Sequence, residues 1–286
     1  MEHQNKIAWI TGAGGLIGNY LVKTAPNFAS QWRIRPLTRE RLDLLDFAAV
    51  RREFQKDSPQ LVIHCAAIST VAAAEADPKL ARRLNTELTG LLAELAAGSQ
   101  FIFFSTDLVF DGQKGNYVEA DAPNPLHLYG ETKTAAEQIV LRNPRHLVVR
   151  TSINGGVSGT HDRGFNERIK SEWRAGRMMK LFTDEFRNPI FAGETARAVW
   201  KLANRDCTGI FHVAGAEKLS RWQTGQLLAK RWPDLNAKIE PASAKDFPGP
   251  ARAPDTSFDI SKVQKLLSVP LPGLGRWLAA HPDEPF

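Results

Sequence analysis

The chain has 286 residues, of which 43% are hydrophobic, and it carries a formal net charge of +6. This length can bury a large core in one large domain or in two closely joined domains. The charge does not predict nucleic-acid binding, because the basic residues lie in scattered pairs without interleaved aromatic residues. An anionic cofactor and an anionic substrate would account for part of the excess.

The two cysteines, Cys65 and Cys207, lie far apart, which argues against a disulfide framework and a structural zinc site. The histidines show no metal-ligand spacing, so we predict no metal and treat them as core or loop residues. No apolar run reaches the roughly 18 residues of a membrane span, and the first strand begins by about Lys6, which leaves no room for a signal peptide. We therefore expect a cytoplasmic protein without membrane contact. Its oligomeric state stays open, a homodimer included.

The predicted elements alternate along the first half of the chain. Apolar runs at 6–10, 33–37, 60–65, 101–105 and 146–150 are separated by helix-like stretches at 16–24, 46–56, 78–97 and 128–142. Strands that alternate with helices of this length indicate parallel βαβ units. Continuous apolar strands are typical of a parallel sheet that is covered on both faces. The sequence therefore predicts an α/β fold.

A glycine-rich turn follows the first strand and opens the first helix. It contains Gly12, Gly14, Gly15, Leu16, Ile17 and Gly18. Gly12 would permit a tight turn, Gly15 the close approach of a pyrophosphate, and Gly18 close packing of helix on strand. Exposed amides at the helix N-terminus would then hold the anion. The turn predicts a dinucleotide site, although a glycine turn without a ligand is the alternative.

The end of the second strand bears on which dinucleotide binds. An acidic residue about 20 positions after a glycine turn binds the adenosine ribose and selects NAD. Here the segment contains Thr38, Arg39 and Glu40, and an arginine at this place would accommodate a 2′-phosphate. NADP (as NADPH) is therefore favoured, and Glu40 keeps NAD possible.

Two further motifs carry polar groups. Ser105, Thr106 and Asp107 follow a buried strand, and Tyr129 and Lys133 lie four residues apart, on one face of a predicted helix. A lysine cation beside a phenol can lower its pKa from about 10 towards the operating pH. We therefore predict that Tyr129 is a proton donor.

The pattern changes after Thr151. Residues 154–164 are glycine-rich and polar and are predicted to form a mobile loop over the site, with His161 within reach of a substrate. Helices near 193–204 and 219–232 flank a strand at 210–213, and 241–256 is predicted to be irregular. We expect an NAD(P)-binding domain at 1–152 and a mainly substrate-binding lobe at 153–286, with about 185–215 returning to the sheet.

Four segments in this order resemble the extended short-chain dehydrogenase/reductase family, and most of all its dTDP-4-dehydrorhamnose reductase-like branch. They are Leu-Val-Ile-His-Cys-Ala-Ala at 61–67, Ser-Thr-Asp-Leu-Val-Phe-Asp-Gly at 105–112, Asp-Glu-Phe-Arg-Asn-Pro at 184–189, and Arg-Ala-Pro-Asp-Thr-Ser-Phe-Asp at 252–259. The resemblance covers nearly the whole chain. It implies a Rossmann doubly wound parallel sheet with a smaller C-terminal substrate-binding lobe.

The resemblance also implies roles for individual residues. Tyr129 would protonate the oxygen of a reduced ketone, Thr106 would donate a hydrogen bond to that oxygen, and Lys133 would hold the nicotinamide ribose. Asn85 would complete a proton relay through its backbone, unless it is a surface polar residue. The cofactor would also contact Thr38, Arg39, Asp43, Leu44, Ala66, Ala67, Ser105 and Ser152. The substrate would contact Ser69, Thr106, Asp107, Arg187 and Arg252.

The substrate implied is a nucleotide-activated keto sugar. Arg187 and Arg252 lie where related enzymes place arginines on a diphosphate, and a structural ion pair is the alternative for each.

The chain has Leu108 where sugar-nucleotide dehydratases have a glutamate, which favours a reductase, with an epimerase next. A non-catalytic NADP-binding regulatory subunit is the alternative from another class. Residues 152–155 and 184–190 differ from the rhamnose-pathway pattern, so the sugar and the nucleotide stay open.

Overall fold

The computed structural model describes residues 6–286. Its first half contains β1 (Lys6–Thr11), α1 (Leu16–Phe28), β2 (Trp32–Leu37), α2 (Phe47–Asp57), β3 (Leu61–His64), α3 (Val71–Ala76), α4 (Pro78–Arg82), α5 (Leu88–Leu95), β4 (Gln100–Thr106), α6 (Leu128–Val140) and β5 (Leu147–Thr151). The second half contains β6 (Asn154–Gly155), α7 (Phe165–Arg174), β7 (Met179–Phe182), β8 (Phe186–Arg187), β9 (Ile190–Phe191), α8 (Ala192–Asn204), β10 (Gly209–Val213), β11 (Leu219–Ser220), α9 (Arg221–Arg231), β12 (Ile239–Ala242), α10 (Ser261–Gln264) and α11 (Leu274–Ala280).

Six parallel strands form the central sheet in the order β10-β5-β4-β3-β1-β2. Because successive side chains of a strand point to opposite faces of the sheet, each strand contributes side chains to both faces. Ile10 and Ile63 pack with α1 and α8 on one face, whereas Trp9 and Val62 pack with α2, α5 and α6 on the other. This explains why the strands are continuous apolar runs, and it confirms the predicted α/β class.

The strand order reverses at β1, because β2 pairs with one edge of β1 and β3 pairs with the other. A crevice opens at such a reversal, outside the carboxyl ends of the strands, and ligands of doubly wound sheets bind there. The loops that follow β1, β3, β4 and β5 all begin at this edge.

The helix predicted at 78–97 is divided. A π-helical turn at Arg83–Glu87 separates α4 from α5 and carries Asn85, and the separate helix α3 precedes them. Single π turns within helices are frequent at functional sites. Apolar periodicity does not distinguish a π turn from α-helix, which is why the sequence indicated one element.

The C-terminal half contains elements that the sequence analysis did not predict. These include α7, α11 and three small two-stranded sheets, β6–β9, β7–β12 and β8–β11. β10 pairs with β5 and extends the central sheet. One core cluster draws residues from both halves, so the division near residue 152 stays a prediction. Within residues 6–286 no helix is long and apolar enough to cross a membrane.

Candidate active site

A cavity of about 780 Å³ lies at the carboxyl edge of the sheet. Asn85 and His161 do not line it, whereas the other predicted site residues do: Gly12, Gly14, Gly15, Leu16, Ile17, Gly18, Thr38, Arg39, Asp43, Leu44, Ala66, Ala67, Ser69, Ser105, Thr106, Asp107, Tyr129, Lys133, Ser152, Arg187 and Arg252. Arg221, His127 and Phe247 also line it, although the sequence analysis assigned them no role. The fold therefore brings residues from six or more separate segments to one crevice.

The glycine turn has the geometry expected of a pyrophosphate cradle. Gly12 has a φ of +66°, and a Cβ there would lie 2.7 Å from the Ala66 nitrogen. A Cβ on Gly18 would collide with the Gly12 carbonyl oxygen, so helix and turn pack closely. At Gly14, by contrast, a Cβ would meet only a Thr38 methyl group, 3.9 Å away. Helix α1 begins here without a side-chain cap or an acidic residue in its first turn, so its N-terminal amides can bind an anion.

The adenosine end of the cavity bears on cofactor choice. Arg39 lines the cavity and is exposed, whereas Glu40 is exposed and does not line it. Asp43 accepts a hydrogen bond from the Leu45 amide at 2.9 Å, while the N-cap of α2 is Asp46. Asp43 is thus not the acid that caps the helix. These positions favour NADP and leave NAD possible.

A buried polar atom without a partner marks the other end of the cofactor path. The Ser105 hydroxyl is buried at the end of β4 and has no hydrogen-bond partner within residues 6–286. A bound nicotinamide carboxamide offers both a donor and an acceptor to such a group. The glycine turn, Arg39 and Ser105 line one cavity, and these residues suit a dinucleotide.

Tyr129, Thr106 and Asp107 form a connected group beside this end. The Thr106 hydroxyl donates a hydrogen bond to an Asp107 carboxylate oxygen at 3.1 Å, and it acts to lower the pKa of the Tyr129 phenol. The second Asp107 oxygen accepts hydrogen bonds from the hydroxyls of Ser152 at 2.9 Å and Thr256 at 3.0 Å. Asp107 is 5% exposed, so it acts as a buried anchor that fixes the polar groups around the phenol.

The expected lowering of the Tyr129 pKa is wrong for this structure. Burial raises the pKa of Tyr129 to about 12; the Thr106 hydrogen bond opposes this rise, and the Asp107 charge adds to it. Lys133 is not among the groups that shift the Tyr129 pKa, and burial lowers the pKa of Lys133 itself to about 7, against the opposing charges of Glu137 and Cys65. Tyr129 is therefore a protonated phenol at neutral pH, which is the form that a proton donor needs.

Lys133 is held in place by its surroundings. It is 3% exposed, and its Nζ lies 4.0 Å from the centre of the Phe103 ring. Glu137, one turn further along α6, forms a buried ion pair with Arg150 at 2.7 Å. Packing on the Phe103 ring and the nearby charge of Glu137 therefore hold the Lys133 amino group in the wall of the cavity.

Asn85 is not a surface residue, since it is 1% exposed. Its side chain exchanges hydrogen bonds with both backbone groups of Ile68, at 2.9 and 3.1 Å, and donates to the Thr132 hydroxyl at 3.0 Å. Its backbone carbonyl accepts from Thr89 at 2.7 Å. Asn85 therefore ties the loop after β3 to the helix that carries Tyr129, and the proton relay stays a prediction.

A cluster of arginines surrounds Glu185, which is fully buried. Arg221 donates to one of its oxygens at 2.8 Å, and Arg252 donates to the other. Burial alone would raise the pKa of Glu185, but Arg221, Arg252 and Arg187 together lower it to about 2. One carboxylate thus orients three guanidinium groups.

Arg187 differs from its two neighbours. It is 4% exposed, lies 3.4 Å from Asp107 and 3.3 Å from Glu185, and donates to the carbonyls of Phe186 and Ala253. These contacts occupy most of its donors and favour the structural ion pair that was the alternative for this residue. Arg252 and Arg221 bond Glu185 through Nε, line the cavity, and keep about 30% and 28% of their side chains exposed.

The loop at 154–164 lies against the glycine turn. The Asn19 side chain donates to the Val157 carbonyl at 3.1 Å, and the Val157 amide donates to the Tyr20 hydroxyl at 3.2 Å. Thr160 and Arg163 line the cavity, whereas His161 is exposed and does not. The placement of His161 gives no support to the expected substrate contact.

Comparisons with known proteins agree with this geometry. A probable low-salt glycan biosynthesis reductase of Haloferax volcanii is 32% identical over 96% of this chain and 96% of its own. The methionine adenosyltransferase 2 subunit beta of Danio rerio is 29% identical over 90% of this chain and 84% of its own. The structure of a dTDP-4-dehydrorhamnose reductase of Bacillus anthracis in complex with NADP is 24% identical, with a TM-score of 0.88 over 97% of this chain and 98% of its own.

A doubly wound sheet whose crevice joins a glycine turn to a buried tyrosine and lysine defines an NAD(P)-dependent enzyme of the extended short-chain dehydrogenase/reductase class. Within that class, the family model described as RmlD substrate binding domain matches residues 6–280, and the chain belongs to that family. The resemblance seen in the sequence is thereby confirmed.

Proposed function

We propose that this protein uses NADPH to reduce the keto group of a nucleoside-diphosphate sugar. The observation that carries the proposal is the convergence of Thr106, Tyr129 and Lys133 on the cavity that contains the glycine turn. A dinucleotide site alone would suit many activities. A buried proton donor at its nicotinamide end is what a carbonyl reduction needs.

When bound, the nicotinamide would supply the hydride that reduces the carbonyl carbon. The chain's own residues manage the charge that develops on the carbonyl oxygen. The Tyr129 phenol donates its proton to that oxygen, and the Thr106 hydroxyl, which otherwise bonds Asp107, donates a hydrogen bond to it. Lys133 would hold the nicotinamide ribose, and its protonated form stabilises the phenolate that remains.

The arginine cluster supports an anionic substrate. Arg221 and Arg252 line the cavity with partly exposed side chains, and guanidinium groups bind phosphate oxygens in a bidentate manner. The Arg252 guanidinium carbon also lies 4.9 Å from the Phe182 ring centre and 5.3 Å from that of Phe247. We assign the diphosphate to Arg221 and Arg252, with Arg187 supporting them from inside the fold.

The test mixes the protein with NADPH and a panel of nucleoside-diphosphate keto sugars. NADPH oxidation is measured as the loss of absorbance of the reduced cofactor. The Tyr129→Phe variant is the matched control, because it keeps the ring and removes the proton. Turnover by the wild-type protein and not by the variant is expected. Cofactor binding without turnover of any ketone would instead favour a regulatory subunit. The similarity to the methionine adenosyltransferase 2 subunit beta of Danio rerio is the reason to consider this alternative. Formation of an epimer without net NADPH consumption would favour an epimerase.

A further inference from the structure

His127 is a cavity residue whose side chain has no structural task in the described part of the chain. It is the N-cap of α6, two residues before Tyr129, yet its side chain makes no capping hydrogen bond. It is 8% exposed and lines the cavity. Its Nδ1 is buried and has no hydrogen-bond partner within residues 6–286.

Such a residue is costly for the fold. Serine, threonine, aspartate and asparagine cap a helix better than histidine does. A buried polar atom without a partner destabilises the folded chain. Because Nδ1 itself is enclosed, a ligand in the cavity would reach the ring through Nε2, which also has no hydrogen-bond partner within residues 6–286.

The charges around the ring decide which form it takes. Burial lowers the pKa of His127, and Arg187 and Arg252 act in the same direction, whereas Glu75 and Glu131 act against it. The Glu75 carboxylate is itself engaged by the Leu128 amide at 3.0 Å. A neutral imidazole offers one donor and one acceptor, which matches a hydroxyl group rather than a phosphate.

We propose that His127 is a substrate-binding residue that hydrogen-bonds a hydroxyl group on the carbon next to the keto group. This inference rests on the proposed function and names the part of the substrate that the site recognises. In the proposed reaction, Tyr129 binds the keto oxygen. His127 lies two residues before Tyr129 and lines the same cavity, and the charges of Arg187 and Arg252 act on its ring. A sugar whose keto oxygen is bound by Tyr129 and whose diphosphate is bound by Arg252 would occupy the cavity that His127 also lines. The preferred substrate class is an α-hydroxy keto sugar.

The test compares two substrates in two variants. His127→Phe keeps a planar ring and removes both nitrogens, whereas His127→Asn keeps a donor and an acceptor. Each variant is assayed for kcat and KM with a hydroxylated keto sugar and with the analogue that lacks the hydroxyl next to the carbonyl. NADPH affinity is measured in parallel by direct titration.

We expect His127→Phe to lower kcat/KM for the hydroxylated sugar by about 5–150-fold, the range that follows from leaving a hydroxyl unpaired in a buried site. The same variant should leave kcat/KM for the deoxy analogue and the affinity for NADPH nearly unchanged. His127→Asn should recover part of the discrimination.

His146 provides a matched control. It is also a buried histidine with an Nδ1 that has no partner within residues 6–286, but it lies outside the cavity lining. His146→Phe should change stability without changing discrimination between the two sugars. Equal losses on both sugars in an active His127→Phe variant would show a merely structural role and overturn this inference alone. If the wild-type protein oxidises no NADPH with any keto sugar, the proposed function falls and this inference falls with it.

Discussion

Replacing Glu185 by glutamine should destabilise the protein in a pH-dependent way. The arginines around Glu185 hold its pKa at about 2, compared with an ordinary value of 4.5. At about 1.4 kcal/mol for each pKa unit, this difference corresponds to about 3 kcal/mol of stability near neutral pH. The glutamine variant should lose at least this amount, because three guanidinium groups then lack their buried counter-charge.

The sign of the pH dependence follows from the lowered pKa. The stabilisation is present above about pH 4.5, the unfolded-state value, and is lost as the pH falls towards the folded-state value of about 2. The difference in unfolding free energy between wild type and Glu185→Gln should therefore shrink to about 2 kcal/mol near pH 3.5. Urea denaturation at several pH values measures this difference directly.

Glu53→Gln is the control for this measurement. Glu53 makes an ion pair with Arg35 at 3.2 Å, but the two side chains are 33% and 43% exposed. Such a surface pair contributes about 0–1 kcal/mol. If Glu185→Gln costs no more than Glu53→Gln, or if its cost does not change with pH, Glu185 does not organise the cluster as described.

Three further predictions concern catalysis and binding. Tyr129→Phe should keep its NADPH affinity and lose about 10²–10⁴-fold in kcat, and near-normal turnover would exclude the role as proton donor. Arg39→Ala should weaken NADPH binding by about 10–150-fold and leave NADH binding nearly unchanged, since a charge-assisted hydrogen bond contributes about 1.5–3 kcal/mol. Equal affinities of the wild-type protein for the two cofactors, measured by titration, would contradict this. Arg221→Ala and Arg252→Ala should mainly raise KM for the sugar nucleotide, and a loss confined to kcat would argue against a remote phosphate contact.

The residues that line the cavity around the glycine turn could be predicted almost completely from the sequence. Gly12, Gly15 and Gly18 follow rules of backbone conformation and close packing that act within a few residues. The strands were recognisable because a sheet covered on both faces needs continuous apolar runs. The four-residue spacing of Tyr129 and Lys133 likewise places both on one helical face wherever that helix lies.

Other features could not be predicted, because they depend on segments that only the fold brings together. Arg221 and Arg252 meet at Glu185 from 36 and 67 residues away, and no local pattern distinguishes them from Arg187. The adjacent Glu185 and Arg187 signalled a charged cluster, but not which arginine faces the cavity. His127 gave one weak signal, its place two residues before Tyr129.

The sequence by itself determined the parallel α/β architecture, the glycine turn and the spacing of Tyr129 and Lys133 on one helical face, since each depends on short-range geometry that the chain carries with it. Only the tertiary structure decided the burial of Tyr129, the internal position of Arg187 and the place of Arg221 in the cavity lining. Burial and the charges of distant neighbours set these properties. Desolvation raised the Tyr129 pKa to about 12, because the surrounding core removes water from the phenol and Asp107 adds a negative charge beside it.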